Sequence, residues 1–108
     1  MRMEPQIASL LVELREELRQ LYGGRLRGVY VFGSHARGDF DPESDLDLLV
    51  VLDDFASYAA EVDRTAEVAS RLSLHYGVSV SQVFLREVEW TSSDSPFVRN
   101  VRDEAIAA

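Results

Sequence analysis

The chain contains no cysteine. That excludes a disulfide framework and any thiolate metal site. Its two histidines, His35 and His75, lie far apart and form no zinc-type spacing. Basic residues are scarce, 11 Lys and Arg against 19 Asp and Glu, for a formal net charge of −8 at pH 7. Nonspecific nucleic-acid binding needs clustered cations, so this balance argues against it. Attachment to anionic membrane surfaces is disfavoured for the same reason. No apolar run approaches the roughly 18 to 20 residues of a membrane span. The first stretch, MRMEPQIASLLVELREELRQL, is punctuated by Glu and Arg and has no apolar signal-peptide centre. A cytoplasmic location is the expectation.

What is present suits one folded unit. The chain has 108 residues, 46% of them apolar, enough for one core and a single domain over 1–108. Ile7, Leu10, Leu11, Leu14, Leu18 and Leu21 recur every three or four residues and predict an amphipathic helix. Glu13, Arg15, Glu16 and Arg19 form its solvated face. Pro5 suits the first turn, and Gly23-Gly24 stops the helix. Val29, Tyr30, Val31 and Phe32 are strand formers ended by Gly33. GDFDPES is loop chemistry, its Asp-Pro step favouring an extended residue before the proline.

DLDLLVVL reads as a second strand. Leu46, Leu48, Val50 and Leu52 share one face, and Asp45, Asp47, Leu49 and Val51 the other. Asp53 or Asp54 is expected to cap the next helix. Its predicted buried stripe is Phe55, Tyr58, Ala59, Val62, Ala66, Ala69, Leu72 and Tyr76, and Gly77 ends it. VSVSQVFL reads as a third strand, with Val78, Val80 and Phe84 on one face and Ser79, Ser81, Val83 and Leu85 on the other. EVEWTSSDSP predicts a turn or short helix, and FVRNVRDEAIAA a last helix. The order helix, strand, strand, helix, strand, helix predicts an α/β (α+β) fold. A small mixed sheet with helices packed on one face fits it, with the other face open near the start of the second strand.

The chemistry concentrates in GSHARGDFDPESDLDLLV, residues 33–50. Carboxylates at the head of a buried strand are costly unless something positive sits against them. Asp45 and Asp47 share a strand face and repel each other. Magnesium, which favours carboxylate oxygens, waters and substrate phosphates, would remove that cost. Gly33 lets a phosphate approach the backbone, and Ser34 adds a hydroxyl donor. SHAR could form one helical turn. Arg37 adds a planar cation suited to phosphate, and Gly38 allows a sharp exit. Together these are the parts of a phosphoryl-transfer site.

The same stretch resembles the signature of the DNA polymerase beta-like nucleotidyltransferase superfamily: Gly-Ser, ten residues, then Asp-x-Asp on a strand. The resemblance is sharpest over residues 28–52. It is closest to the minimal nucleotidyltransferases (MNT), including the antitoxins of HEPN–MNT toxin–antitoxin pairs. The resemblance implies that Gly33 and Ser34 grip the phosphates, with Arg37 in contact. It makes Asp45 and Asp47 the catalytic ligands of magnesium or manganese. It also implies transfer of a nucleoside monophosphate, AMP from ATP, to an acceptor hydroxyl with loss of pyrophosphate. Some minimal members place adenylate on a tyrosine of the partner toxin, so a separately encoded helical HEPN-type protein is the implied partner. Oligomerisation is left open.

The sequence departs from that family at one place. Catalytic members carry a third carboxylate on a neighbouring strand, and Ser81 stands where it is expected here. Glu87 and Glu89 come after the strand end. Two functions follow: an active transferase, or an antitoxin-like or regulatory subunit that binds nucleotide without turnover. The remaining residues have plainer readings. His35 reads as an exposed loop residue and Trp90 as a packing anchor. His75 favours a helix C-terminus, and Arg37 also reads as an ion-pair partner of Asp39 or Asp41.

Overall fold

The computed structural model describes residues 4–41 and 43–108. The first three residues and Pro42, with the expected Asp-Pro step, lie outside the described residues. Helix α1 spans Pro5–Tyr22 with proline in its first turn. Gly23, at φ 57°, closes it, and its N–H reaches back to the Arg19 carbonyl. Ile7, Leu10, Leu11, Leu14, Leu18 and Tyr22 are buried. The last inward position is therefore Tyr22, while Leu21 is 44% exposed. Tyr22 lies four residues after Leu18 and continues its face. Its hydroxyl donates to Glu61 Oε1 at 2.7 Å.

Among the described residues a four-stranded sheet follows, ordered β3-β2-β1-β4. The strands are β1 (Leu26–Phe32), β2 (Leu46–Leu52), β3 (Val80–Arg86) and β4 (Ile106–Ala107). β1 runs antiparallel to both β2 and β4, and β2 runs parallel to β3. The parallel pair needs a crossover. Helix α3 (Tyr58–Tyr76) supplies it. Leu46, Leu48, Leu49, Val50, Val51 and Leu52 are all buried because β2 is central and covered on both faces.

The main core joins α1 and α3 to the face carrying Val29, Val31, Leu48, Val50 and Phe84. Both long helices thus lie on one face, as the alternation of β2 predicts. The second face is not bare. Helices α4 (Glu87–Ser92) and α5 (Pro96–Glu104) reach it. Trp90, Val101 and Ala105 cover Leu49, Val51, Tyr30 and Phe32 there. Trp90 is the expected packing anchor, with its ring centroid 5.0 Å from that of Tyr30. What stays uncovered is the polar end of this face, where β2 begins.

Three further expectations about these elements need correction. Ser57, not Asp53 or Asp54, caps α3, accepting from Ala60 N–H at 3.2 Å. Asp53 pairs with Arg25 at 3.1 Å instead, and Asp54 accepts from Phe55 N–H at 2.9 Å. The buried stripe of α3 is Glu61, Thr65, Val68 and Leu72. Tyr58 and Val62 are 46% and 41% exposed. Polar residues hold two inward positions because each finds partners. Arg64 Nε lies 3.1 Å from the Glu61 carboxylate, and Thr65 Oγ1 accepts from Gln82 Nε2 at 3.1 Å. Finally, the C-terminal segment is not helical to its end. Ala105 turns extended, and Ile106 and Ala107 pair with Val31 and Tyr30. This fourth strand satisfies part of the edge of β1, which would otherwise be unpaired.

Candidate functional site

Antiparallel pairing explains how the motif assembles. Phe32, the last residue of β1, lies opposite Asp47 near the start of β2. Gly33, the next residue, is therefore brought against Asp47. Its backbone, at φ 74° and ψ −153°, is almost restricted to glycine. A Cβ there would lie 2.3 Å from Asp47 Oδ2. The expected single turn follows as α2 (Ser34–Arg37), and Gly38, at φ 84°, ends it. Asp45 sits exposed in the coil just before β2, and Asp47 is half-buried. Gly33, Ser34, Arg37, Asp45 and Asp47 thus gather at one end of the sheet.

His35 is not the exposed loop residue expected. It is 6% exposed and stacks on Phe40 with centroids 4.4 Å apart. Its Nε2 lies 3.4 Å from the Ser44 carbonyl. Together with Asp41 N–H donating to Ser44 Oγ at 3.0 Å, this ties down the loop between the two halves of the motif. His75 lies in the last turn of α3, as expected. Arg37 pairs with Asp39 at 3.3 Å, the first of the two alternatives expected.

The electrostatics are those of crowded acids. Burial, then the neighbouring Asp45 charge, push the Asp47 carboxyl above its ordinary range, while His35 and Arg37 oppose the rise. The Asp47 carboxyl therefore holds its proton more tightly folded than unfolded. Its contribution to stability is greatest at acidic pH and falls as pH rises through the raised value. Asp47→Asn is accordingly expected to melt at the same temperature as wild type or higher at pH 7, without metal. The gain should vanish below the ordinary carboxylate range. Thermal melts in a chelator at both pH values check this; a lower melting temperature for the variant at pH 7 would contradict it.

The donor set also bears on a metal. Among the described residues no group of three or more His, Asp or Glu side chains could hold a metal ion. Two crowded carboxylates at an open sheet end nevertheless fit magnesium, which keeps waters and takes substrate phosphates alongside one or two carboxylates.

Ser81 pairs directly with Asp47 across the parallel ladder and so points to the same face. It is exposed. Glu87 and Glu89 lie beyond the opposite end of β3, about 20 Å along the strand from Ser81 at about 3.3 Å per residue. Glu89 is also engaged, accepting from Arg86 N–H at 2.9 Å. The carboxylate that does reach the site is Glu104, the last residue of α5. Its Oε2 accepts from Gly33 N–H at 2.5 Å and lies 3.4 Å from Arg37 Nη1. Nothing in the local sequence singles Glu104 out, since an acid near the end of an amphipathic helix reads as solvated.

A mixed sheet with a Gly-Ser turn pressed against an Asp-x-Asp strand is the architecture of a nucleotidyltransferase. The model of the nucleotidyltransferase domain family matches residues 11–108, and this chain belongs to that family. It is 33% identical over 98 residues to "Putative protein adenylyltransferase MJ0604" of Methanocaldococcus jannaschii, covering 85% of this chain and 87% of that one. It is 29% identical over 91 residues to protein adenylyltransferase MntA of Thermococcus cleftensis, covering 77% and 90%. In fold it resembles a chain from the complex of tri-AMPylated HEPN toxin with MNT antitoxin from Shewanella oneidensis. The TM-score there is 0.54 at 18% identity, covering 91% of this chain and 70% of that chain.

Proposed function

We propose that this chain binds ATP as its magnesium complex and transfers AMP to a hydroxyl on a partner protein of the helical HEPN type, in the cytoplasm. The observation that carries this reading is the contact of Gly33 with Asp47. It sets a phosphate-binding turn beside the proposed metal ligands. In this reading Gly33 and Ser34 hold the phosphates through backbone N–H and hydroxyl groups, and Arg37 adds charge. Asp45 and Asp47 hold the metal, which when bound would neutralise charge on the phosphates. Half-burial of Asp47 and its pairing with both neighbouring strands fix the carboxylate relative to the turn. The names of the relatives support protein adenylylation as the reaction class. The toxin–antitoxin neighbour supports the partner class.

Titration calorimetry tests the nucleotide reading. ATP is expected to bind at least tenfold more weakly when magnesium is chelated. The Asp45→Asn/Asp47→Asn variant should lose that metal dependence. Equal affinity with and without magnesium would show that these aspartates are not ligands.

One observation favours a second reading. Ser81 occupies the position in register with Asp47 where the family resemblance calls for a third carboxylate. A serine hydroxyl is neutral and a poor base near neutral pH, so the chain would bind nucleotide and turn it over slowly. It would then act as an antitoxin-like or regulatory subunit.

A further inference from the structure

The anion-binding groups of the site already hold an anion. The Glu104 carboxylate accepts from Gly33 N–H at 2.5 Å, and both its oxygens lie near Arg37 Nη1, at 3.5 and 3.4 Å. Its side chain is only 26% exposed. The placement is unfavourable on two counts. A carboxylate at a helix C-terminus faces the negative end of the helix, and this one adds a like charge beside Asp47. The fold nevertheless fixes it there. Two residues later the chain joins the sheet, with Ile106 opposite Val31 and Ala107 opposite Tyr30. The backbone carrying Glu104 is thereby anchored to β1, the strand that leads into Gly33.

We propose that Glu104 is a built-in competitor for the phosphate site: its carboxylate occupies Gly33 N–H and Arg37 and must be displaced before a nucleoside triphosphate can bind. The inference rests on the nucleotide reading above. The single Gly33 N–H cannot fully serve Glu104 and a phosphate at once, and the Arg37 Nη1 that faces Glu104 is turned away from a phosphate as long as the carboxylate stays there. The site is then open only in the fraction of molecules whose Glu104 has swung away. Apparent nucleotide affinity is lowered by that fraction. A role for Glu104 as the missing third metal ligand fits less well. Its oxygens face an amide and an arginine, and no cluster of three such ligands exists among the described residues.

The two roles predict opposite signs. ATP with magnesium is titrated into the full chain as wild type, Glu104→Gln, Glu104→Ala and the exposed control Asp103→Asn. Both Glu104 variants are expected to bind about tenfold more tightly, as expected when a mostly closed site is opened, and Asp103→Asn within twofold of wild type. A second readout needs no variant. In wild type carrying 15N and 13C labels, added ATP should move the Gly33 amide and the Glu104 side-chain carboxyl resonances in step. Wild-type binding that Glu104→Gln and Glu104→Ala leave unchanged or weaken overturns the inference and leaves the nucleotide reading standing. A Gly33 amide that moves while the Glu104 carboxyl does not has the same consequence. Absence of ATP binding in wild type and in both Glu104 variants overturns both.

Discussion

Ser81→Asp is expected to raise nucleotidyl transfer by at least tenfold. General-base assistance is worth roughly 10² to 10⁴ in rate, and the upper part of that range applies if the new carboxylate lies where an acceptor hydroxyl approaches. Residue 81 is well placed for the test, since it is exposed and pairs with Asp47 on the neighbouring strand. The added charge should lower the melting temperature without metal and lower it less with magnesium, because three crowded carboxylates repel. The assay is incorporation of labelled AMP into a co-purified partner by wild type, Ser81→Asp and Asp45→Asn/Asp47→Asn. Weak wild-type transfer with a gain in Ser81→Asp supports the slow-turnover reading. Strong wild-type transfer, abolished in the double variant, would defeat it. Glu87 and Glu89, the nearest acids in sequence, lie past the far end of β3 and could not explain such activity.

The second large effect is expected at Gly33. Its φ of 74° with ψ −153° belongs to a region that other residues almost never enter, at a cost of about 1–3 kcal/mol. Gly33→Ala adds a contact of 2.3 Å with Asp47 Oδ2. The backbone cost alone corresponds to a fall of roughly 5–15 °C in melting temperature for a domain of this size, and the clash deepens it. ATP binding should fall by more than tenfold, because both the Gly33 amide and the Asp47 carboxylate must move. Adding Asp47→Ala to Gly33→Ala removes the clash and leaves the backbone strain, so the melting temperature should recover in part. Full recovery, or no loss in Gly33→Ala at all, would mean that the turn relaxes to an ordinary conformation.

Much of this was legible along the chain because the signals are local. Alternation within DLDLLVVL assigns Leu46, Leu48 and Val50 to one face and Leu49 and Val51 to the other, and both assignments match the two cores. The Gly33 turn, the short helix after it and the aspartates at the strand head could be read from residue type and spacing. The inward face of α3 could not. A stripe containing Glu61 and Thr65 looks solvated until Tyr22, 39 residues before Glu61, is known to donate to it. The fourth strand was hidden for a similar reason. Ile106 and Ala107 carry almost no strand signal by themselves, and pair because β1 offers an edge.

The sequence by itself determined the order of the main elements, the central buried strand and the chemistry of the motif, since periodicity and backbone preference act over a few neighbouring residues. Only the tertiary structure decided how that motif is occupied and surrounded. The antiparallel register of β1 and β2 sets Gly33 against Asp47, and the parallel register of β3 sets Ser81 beside it. The return of the chain through α5 and β4 delivers Glu104 to an amide 71 residues away. Charge and hydrogen bonding act through space, so a carboxylate that reads as solvent-facing in one dimension becomes an occupant of the site once the sheet closes around it.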